Sequence, residues 1–423
     1  MSKNKKKRTV KHDKKLEVRQ NKNKFFAKAR QVAVAWDAQE AFDLIPSEEL
    51  SVLYVARFRA VRIDRGKNND LPGKFFKNFR KTINDTLKNI MVEIRPGGKL
   101  VSMYDFYTVV VSLKHYLRIL EEDDFPKAHV VKQAFTPFLD HWNNYREVEF
   151  EFYSYLEVLT TIFSRLDKKF IWFESGDWPE ETNLSNQVYD LIEMNFLKPE
   201  KKVIRLDGHK RMIIKVGWGS FFNGFNWITI QAADLGIECA FKDLALEVYL
   251  QAHVLHRLNE RLEGFGEASL HFYLWNSLRE PKVQRGVNDE LLIEYRLNDM
   301  RLGYLKADII EGMVVLRTFL FITNDCTPEG QLLKAFTGMQ KMDKKYWEID
   351  KLSTFVMSDI KDHAVLRELF EKIGCGHLFE IQESHLYGVN KTAQADSLMA
   401  FIEQNKELDK EMMHQYLDEE LVE

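Results

Sequence analysis

The sequence predicts an α+β protein with a helical N-terminal domain, a central domain of a strand, two helices and an antiparallel sheet, and a helical C-terminal segment. Three observations predict this class. Apolar residues recur three and four positions apart up to about residue 198, β-branched runs with turn pairs follow from residue 200, and helical patterns return after about residue 330. The 423 residues, 45% of them hydrophobic, are enough for two or three cores.

The N-terminal segment, residues 1–30, is strongly basic. It holds 13 Lys or Arg against Asp13 and Glu17, a net charge of about +11, which leaves about −14 for the rest of the chain. Because it has few apolar residues, we expect a disordered tail, and phosphate backbones are its natural partner. A solubilising tail without a specific partner is the alternative, and such a run is also typical of nuclear targeting.

A helical domain is predicted over residues 31–199. Its amphipathic segments are "EELSVLYVARFRAVRI", "LPGKFFKNFRKTINDTLKNIMVEI", "SMYDFYTVVVSLKHYLRILEE" and "PFLDHWNNYREVEFEFYSYLEVLTTIFSRL".

The central domain is predicted over residues 200–340. Asp207-Gly208 between two β-branched runs indicates a hairpin. A strand in "FNWITIQAAD" precedes a helix through "FKDLALEVYLQAHVLHRLNERLE", and a second helix, "EASLHFYLWNSLRE", ends before Pro281. Three antiparallel strands follow, "LLIEYRL", "RLGYLKADII" and "MVVLRTFLFIT". The last is apolar almost throughout, so we place it centrally in the sheet.

The C-terminal segment, residues 341–423, is predicted to be helical. It ends in "DSLMAFIEQNKELDKEMMHQYLDEELVE", with nine acidic and two basic residues. That end either folds back on a basic surface of this chain or of a partner, or forms a solvated terminal helix.

The cysteine pattern and hydropathy bear on location and cofactors. Cys239, Cys326 and Cys375 lie far apart without C-x-x-C spacing, which favours a reducing compartment over disulfides or a thiolate zinc site. No stretch approaches 18 consecutive apolar residues, and the first 20 residues lack the apolar core of a signal peptide. We therefore expect a cytoplasmic protein without membrane, metal or cofactor.

The candidate site is a helical row formed by His253, Arg257 and Arg261, here named the His-Arg row. Four residues advance a helix by about 400°, so the three side chains share one face. The neighbouring apolar stripe consists of Leu250, Val254, Leu258 and Leu262. The His-Arg row therefore runs beside the buried edge of the helix, where it can line a groove.

The pattern H-x-x-x-R-x-x-x-R on a first helix, followed by a second helix and an antiparallel sheet, resembles toxin-like domains of the barnase, EndoU and RelE ribonuclease superfamily. The resemblance covers about residues 226–325. It implies metal-independent RNA cleavage by general acid and base catalysis, with His253 as base or acid and Arg257 and Arg261 as phosphate and transition-state ligands. It also implies a hydroxyl near the end of the last strand, for which Thr323 is the best match.

Two alternatives stay open. His256 is offset about 60° from His253 on the helix, so either histidine can be the functional one. In a purely structural interpretation, Arg257 and Arg261 pair with Glu260, Glu263 or the second helix, and His253 packs at the sheet edge. The protein is then a non-catalytic scaffold or adaptor that binds RNA or a protein. The expected partners are RNA or another nucleic acid, with an inhibitor or other protein as a second class.

Overall fold

A computed structural model describes residues 2–58, 62–66, 73–144, 147–175, 191–237, 244–389, 391 and 393–405. The chain forms two compact units that interleave in sequence. Unit 1 consists of Met1–Thr160, Ile171–Phe196 and Ser220–Gly224, and unit 2 of Thr161–Phe170, Leu197–Gly219 and Phe225–Glu423. The predicted segments 200–340 and 341–423 thus fall almost entirely in unit 2. No helix in the described part of the chain is long and apolar enough to cross a membrane.

The first half of the chain, which supplies unit 1, is mostly helical. Its helices are α1 (Ser2–Ala35), α2 (Gln39–Phe42), α3 (Ser47–Ala56), α4 (Gly73–Asn89), α5 (Met103–Asp105), a π-helical stretch (Phe106–Val111), α6 (Ser112–Ile119), α7 (Ala128–Ala134), α8 (Thr136–Asn144) and α9 (Glu147–Phe163). Its strands are β1 (Arg62–Arg65), β2 (Met91–Glu93), β3 (Leu100–Ser102), β4 (Phe170–Ser175) and β5 (Leu191–Leu197).

The basic N-terminal segment is helical, so the prediction of a disordered tail over residues 1–30 is wrong for residues 2–30. The second half of α1 is anchored because Phe25, Ala29, Val32 and Ala33 are buried in unit 1. The lysines and arginines upstream are good helix formers, so the helix extends from this anchored end towards the N-terminus.

Unit 1 also contains strands that the helical pattern did not predict. β5 lies between β1 and β4 in a small sheet, and it pairs with β1 in parallel, Arg62 opposite Leu191. β2 and β3 form an antiparallel pair. Short apolar runs of this length fit a helix or a strand equally well, and the partners of β1 lie more than a hundred residues away.

Unit 2 is built on one mixed sheet. The strands of this part of the chain, in chain order, are β6 (Lys201–Leu206), β7 (His209–Lys215), β8 (Gly217–Ser220), β9 (Gly224–Trp227), β10 (Thr229–Gln231), β11 (Ala245–Gln251), β12 (Val283–Arg285), β13 (Leu291–Leu297), β14 (Met300–Ile310) and β15 (Met313–Phe321). The sheet order is β12-β13-β14-β15-β11-β7-β6, with β10 also paired to β11, while β8 and β9 pair with each other.

The helices of unit 2 are α10 (Ala252–Arg261), α11 (Glu267–Arg279), α12 (Pro328–Thr337), α13 (Lys341–Tyr346), α14 (Leu352–Met357) and α15 (Ala364–Lys372). Three short 3-10 segments follow or precede α15, Asp359–Asp362, Gly376–Glu380 and Glu383–His385, and residues 395–405 are helical. The acidic end beyond residue 405 lies outside the described residues. Cys326 and Cys375 are free thiols, and Cys239 also lies outside the described residues.

The α+β class and most of the central elements are confirmed. The hairpin at Asp207-Gly208 joins β6 to β7, with Leu206 opposite His209. The three predicted antiparallel strands are β13, β14 and β15, and β15 is the central strand of the path. α11 ends two residues before Pro281.

The helix predicted through residues 241–263 is wrong in its first half. Ala245–Gln251 is strand β11, and only Ala252–Arg261 is helical. The reason is tertiary, because β11 pairs in parallel with β15 and antiparallel with β7. The apolar run "ALEVYL" satisfies the spacing of either element, and pairing on both edges selects the strand.

α10 packs on β15 and α11 on β13. The apolar stripe of α10 carries the contact, since Val254, Leu258 and Leu262 have no exposed surface. α11 is tied to the sheet by the Tyr295 hydroxyl, which donates to the carbonyl of Leu270 at 3.1 Å. The packing of α10 on β15 therefore buries one face of this helix and leaves the opposite face accessible.

We expect Leu258→Ala to lower the free energy of unfolding by about 2–5 kcal/mol, because it leaves a cavity between α10 and the sheet. The measurement is urea denaturation followed by tryptophan fluorescence. Leu332→Ala on α12 is the matched control, since Leu332 is 46% exposed, and it should change stability by less than about 0.5 kcal/mol. Equal effects of both changes would contradict this packing.

Candidate functional site: a basic cavity beside α10

The His-Arg row lies on one accessible side of α10, next to the buried stripe. His253 is exposed, and Arg257 and Arg261 are partly buried. α10 begins directly after β11, so the end of this interior strand determines where the first residue of the row is placed. The structure thus puts the three predicted residues on one face of a helix.

Both arginines of the row are paired with carboxylates. The Nη1 atom of Arg257 lies 2.5 Å from Oε2 of Glu260, one turn along the helix. Arg261 forms a close ion pair with Asp350, and its Nη2 lies 3.6 Å from Oε1 of Glu260. The pairing with Glu260 is the one expected in the structural interpretation.

Glu263, the other expected partner, binds elsewhere. It accepts from the ammonium groups of Lys351 at 3.2 Å and Lys391 at 3.0 Å, and from the hydroxyl of Ser353. Glu263 therefore stabilises the C-terminal part of unit 2 and leaves the arginines of α10 to Glu260 and Asp350.

His253 is coupled to the next member of its row. Its Nε2 accepts a hydrogen bond from Nε of Arg257 at 3.3 Å, which fits a ring nitrogen without a proton. Partial burial, and then the positive charge of Arg257, hold the pKa of His253 below its usual value. Its ring centre lies 6.4 Å from that of His256, which is also exposed. Because its pKa is lowered, His253 is mainly neutral at neutral pH.

Thr323 does not face this surface. It is completely buried, and its hydroxyl donates to the carbonyl of Ile349 at 2.6 Å. Its carbonyl accepts from Nζ of Lys344 at 3.0 Å. Thr323 joins the end of the central sheet to the chain after α13, so it offers no free hydroxyl to a substrate, contrary to the role that the resemblance implied.

A cavity of about 240 Å³ opens beside the His-Arg row and is here named the basic cavity. α10 and α13 supply its cationic lining, which consists of Arg257, Arg261, Lys341, Lys344 and Lys345. The remaining lining residues are Asn324, Asp325, Met342 and Asp350. Five cations thus face two carboxylates, which favours an anionic ligand.

The lysines of α13 are the part of the site that sequence reasoning missed. Lys344 is 2% exposed and bonds the carbonyls of Thr323 and Gly330 and the carboxylate of Asp325. Burial lowers the pKa of this ammonium, and Asp325 opposes that shift. The buried lysine holds α13 against the loop after β15, and this contact brings Lys341 and Lys345 to the cavity.

Lys341 and Lys345 are exposed, and within the described part of the chain neither forms an ion pair or a hydrogen bond. They lie four residues apart on one helix face, where like charges repel. The carboxylate of the nearby Asp343 accepts from the backbone N–H of Gln340 at 2.8 Å, at the N-terminus of α13. A bound anion would offset this repulsion.

Among the described residues, no group of three or more His, Cys, Asp or Glu can hold a metal ion.

Close packing fixes the loop that carries Asn324 and Asp325. A Cβ at Gly330 would meet the carbonyl oxygen of Asn324 at 1.7 Å, so only glycine fits there. The hydroxyl of Thr327 accepts from the N–H of Gly330 at 3.0 Å and caps α12. The packing of this loop against α12 therefore fixes the wall of the basic cavity that Asn324 and Asp325 form.

We expect Thr323→Val to lower the free energy of unfolding by about 1–3 kcal/mol, because it leaves the carbonyl of Ile349 without its buried donor. The shape of the side chain is kept. Thermal or urea denaturation measures the loss. Thr318→Val on the same strand is the control, since Thr318 is only half-buried and should change stability by less than about 0.5 kcal/mol. A catalytic, non-structural Thr323 would instead leave stability unchanged.

Comparison with known proteins adds no relative. No protein-family model, no curated protein and no solved structure matches this chain. The resemblance to toxin-like ribonucleases therefore depends on the His-Arg row and on the order of the elements around it.

Proposed function

We propose that unit 2 binds RNA through phosphate groups held in the basic cavity. The observation that carries the proposal is the convergence of Lys341 and Lys345, which have no carboxylate partner among the described residues, with Arg257 and Arg261 on one cavity. Arginine holds a phosphate through parallel hydrogen bonds, and lysine adds a mobile point charge. The four side chains together can neutralise one or two adjacent phosphates.

The size of the basic cavity supports a small anionic group rather than a large apolar ligand. Its volume of about 240 Å³ lies below the range of roughly 300–1,000 Å³ that is usual for drug-sized ligands. One phosphodiester unit at the opening, with the chain continuing across the exposed face of α13, fits this volume. The charge of about +11 in residues 1–30 adds sequence-independent attraction to a polyanion.

Binding without cleavage is the function that the pairing of the arginines favours. Arg257 and Arg261 are held by Glu260 and Asp350 in the free protein, so a phosphate must share them with carboxylates. Shared arginines contribute less to a transition state than free ones, because the carboxylate already offsets part of their charge. The lysines of α13 carry no such offset.

We expect the double variant Lys341→Ala/Lys345→Ala to bind single-stranded RNA more weakly. Two phosphate contacts are lost, so the slope of log K against log salt becomes shallower by about 1.4, at about 0.7 per ion for single strands. Fluorescence anisotropy of a labelled oligonucleotide, measured at several salt concentrations, gives this slope.

The matched control is Lys210→Ala/Lys282→Ala, since both lysines are exposed in unit 2 and lie outside the lining of the basic cavity. It removes the same charge from another surface. If both double variants change affinity and slope equally, the protein binds RNA only by its overall charge and the proposed site is wrong.

Cleavage is a second candidate function, favoured by the contact between His253 and Arg257. When Arg257 turns from Nε2 of His253 to the phosphate, that nitrogen can accept the proton of a ribose 2'-hydroxyl while the arginine stabilises charge on the phosphate. His253 has the lowered pKa that such a base requires at neutral pH.

If the protein cleaves RNA, we expect activity in the presence of a chelator, with loss in His253→Ala and retention in His256→Ala. A base must be unprotonated, so the rate should rise with pH and level off above a midpoint below 6.5, the ordinary value for histidine. The measurement is a gel assay of total RNA over about pH 4.5–8.5, chosen to span about two units on either side of that value.

Intact RNA with the wild type would exclude cleavage and leave binding as the function. Cleavage that persists in His253→Ala but stops in His256→Ala would move the base to His256. In neither case does the proposal for the lysines of α13 depend on the result.

A further inference from the structure

The surface of α13 exposes an apolar pair next to its lysines. Met342 is 70% exposed and Tyr346 is 78% exposed. They lie four residues apart, so they form a row one helical position from Lys341 and Lys345. Met342 lines the basic cavity, and Tyr346 lies one turn further along the helix.

The ring of Tyr346 has a firm support. It meets the ring of Trp347 edge to face, with centres 5.2 Å apart and planes at 90°. Trp347 packs in turn on Phe401 at 5.8 Å, and its carbonyl accepts from Nε2 of Gln394 at 3.3 Å. Tyr346 is therefore highly exposed but supported by its contact with Trp347.

We propose that Tyr346 is a base-stacking residue and that the site takes single-stranded RNA, with a phosphate at Lys341 and Lys345 and the adjacent base on the ring of Tyr346. This inference rests on the proposed function. Aromatic rings beside cations are the usual means of binding single strands, because each base has a face to stack and each nucleotide carries a phosphate.

A duplex does not satisfy this arrangement. Its bases are already stacked inside the helix, and the major groove of A-form RNA is too narrow and deep for side chains to read. A phosphate of a duplex can reach Lys341, but no base is then free for Tyr346. The pair of features on α13 therefore selects unpaired RNA.

An exposed tyrosine and methionine are also typical of protein interfaces. The neighbouring lysines favour an RNA-binding surface over a protein interface. Lysine is depleted in the buried centre of protein interfaces, where its charge would lose water. Here Lys341 and Lys345 flank the apolar pair directly, and neither forms an ion pair with a carboxylate of the described residues. A phosphodiester supplies the missing negative charge.

The test compares Tyr346→Ala, Tyr346→Phe and the control Tyr387→Ala, whose tyrosine is 77% exposed at another place in unit 2. Anisotropy measures binding of a single-stranded RNA and of the same sequence in a blunt duplex. Stacking of one base is worth about 1–3 kcal/mol, so Tyr346→Ala should weaken single-strand binding roughly 5- to 150-fold. Tyr346→Phe keeps the ring and should stay within about twofold of the wild type, as should Tyr387→Ala.

Each result decides the inference. The inference is supported if Tyr346→Ala loses affinity for the single strand, Tyr346→Phe keeps it, and the wild type prefers the single strand to the duplex. Unchanged binding in Tyr346→Ala while Lys341→Ala/Lys345→Ala loses affinity would overturn the stacking role and leave the proposed function standing. Equal affinity of the wild type for the duplex would overturn the single-strand preference. Failure of the wild type to bind any RNA would remove both proposals.

Discussion

The buried ammonium of Lys344 is the contact on which the basic cavity depends. It bonds the carbonyl of Thr323 at the end of the central sheet and the carbonyl of Gly330 in α12, and it pairs with Asp325 between them. An ammonium that is 2% exposed is strongly unfavourable unless its donors are all bonded, and here three acceptors surround it. Because the same short helix carries all three lysines, the contacts of Lys344 also set the position of Lys341 and Lys345.

Local pattern was enough to predict much of the fold. The Asp207-Gly208 turn and the apolar character of β15 each follow from adjacent residues. β11 was mistaken for a helix because its strand character comes from pairing with β15 and β7, which are distant in sequence. α1 was mistaken for a disordered tail because most of residues 1–30 are polar or basic, and the few apolar residues near Phe25 that anchor the helix were given too little weight.

For the site, helical periodicity placed His253, Arg257 and Arg261 on one face, as the structure has them. The same reasoning could not find Lys341 and Lys345, since they lie about eighty residues further on and come next to α10 only in the folded chain. Thr323 was expected in the site because the resemblance implied a hydroxyl near the end of the last strand. A hydroxyl at the end of a buried central strand instead points into the core, where it is used by the backbone of Ile349.

The parallel pairing of β11 with β15 has a consequence for the order of folding. Val248 pairs with Val314, so the segment between them, which contains two helices and three strands, must be synthesised before that pair can form. The hairpins β6–β7 and β13–β14 close locally, whereas loop-closure entropy delays this long-range pair. α10 can be seated on β15 only afterwards, so a chain emerging from the ribosome has no basic cavity until residues near 350 are available. The site is thus complete only when segments on both sides of β12–β15 in the sequence have been synthesised.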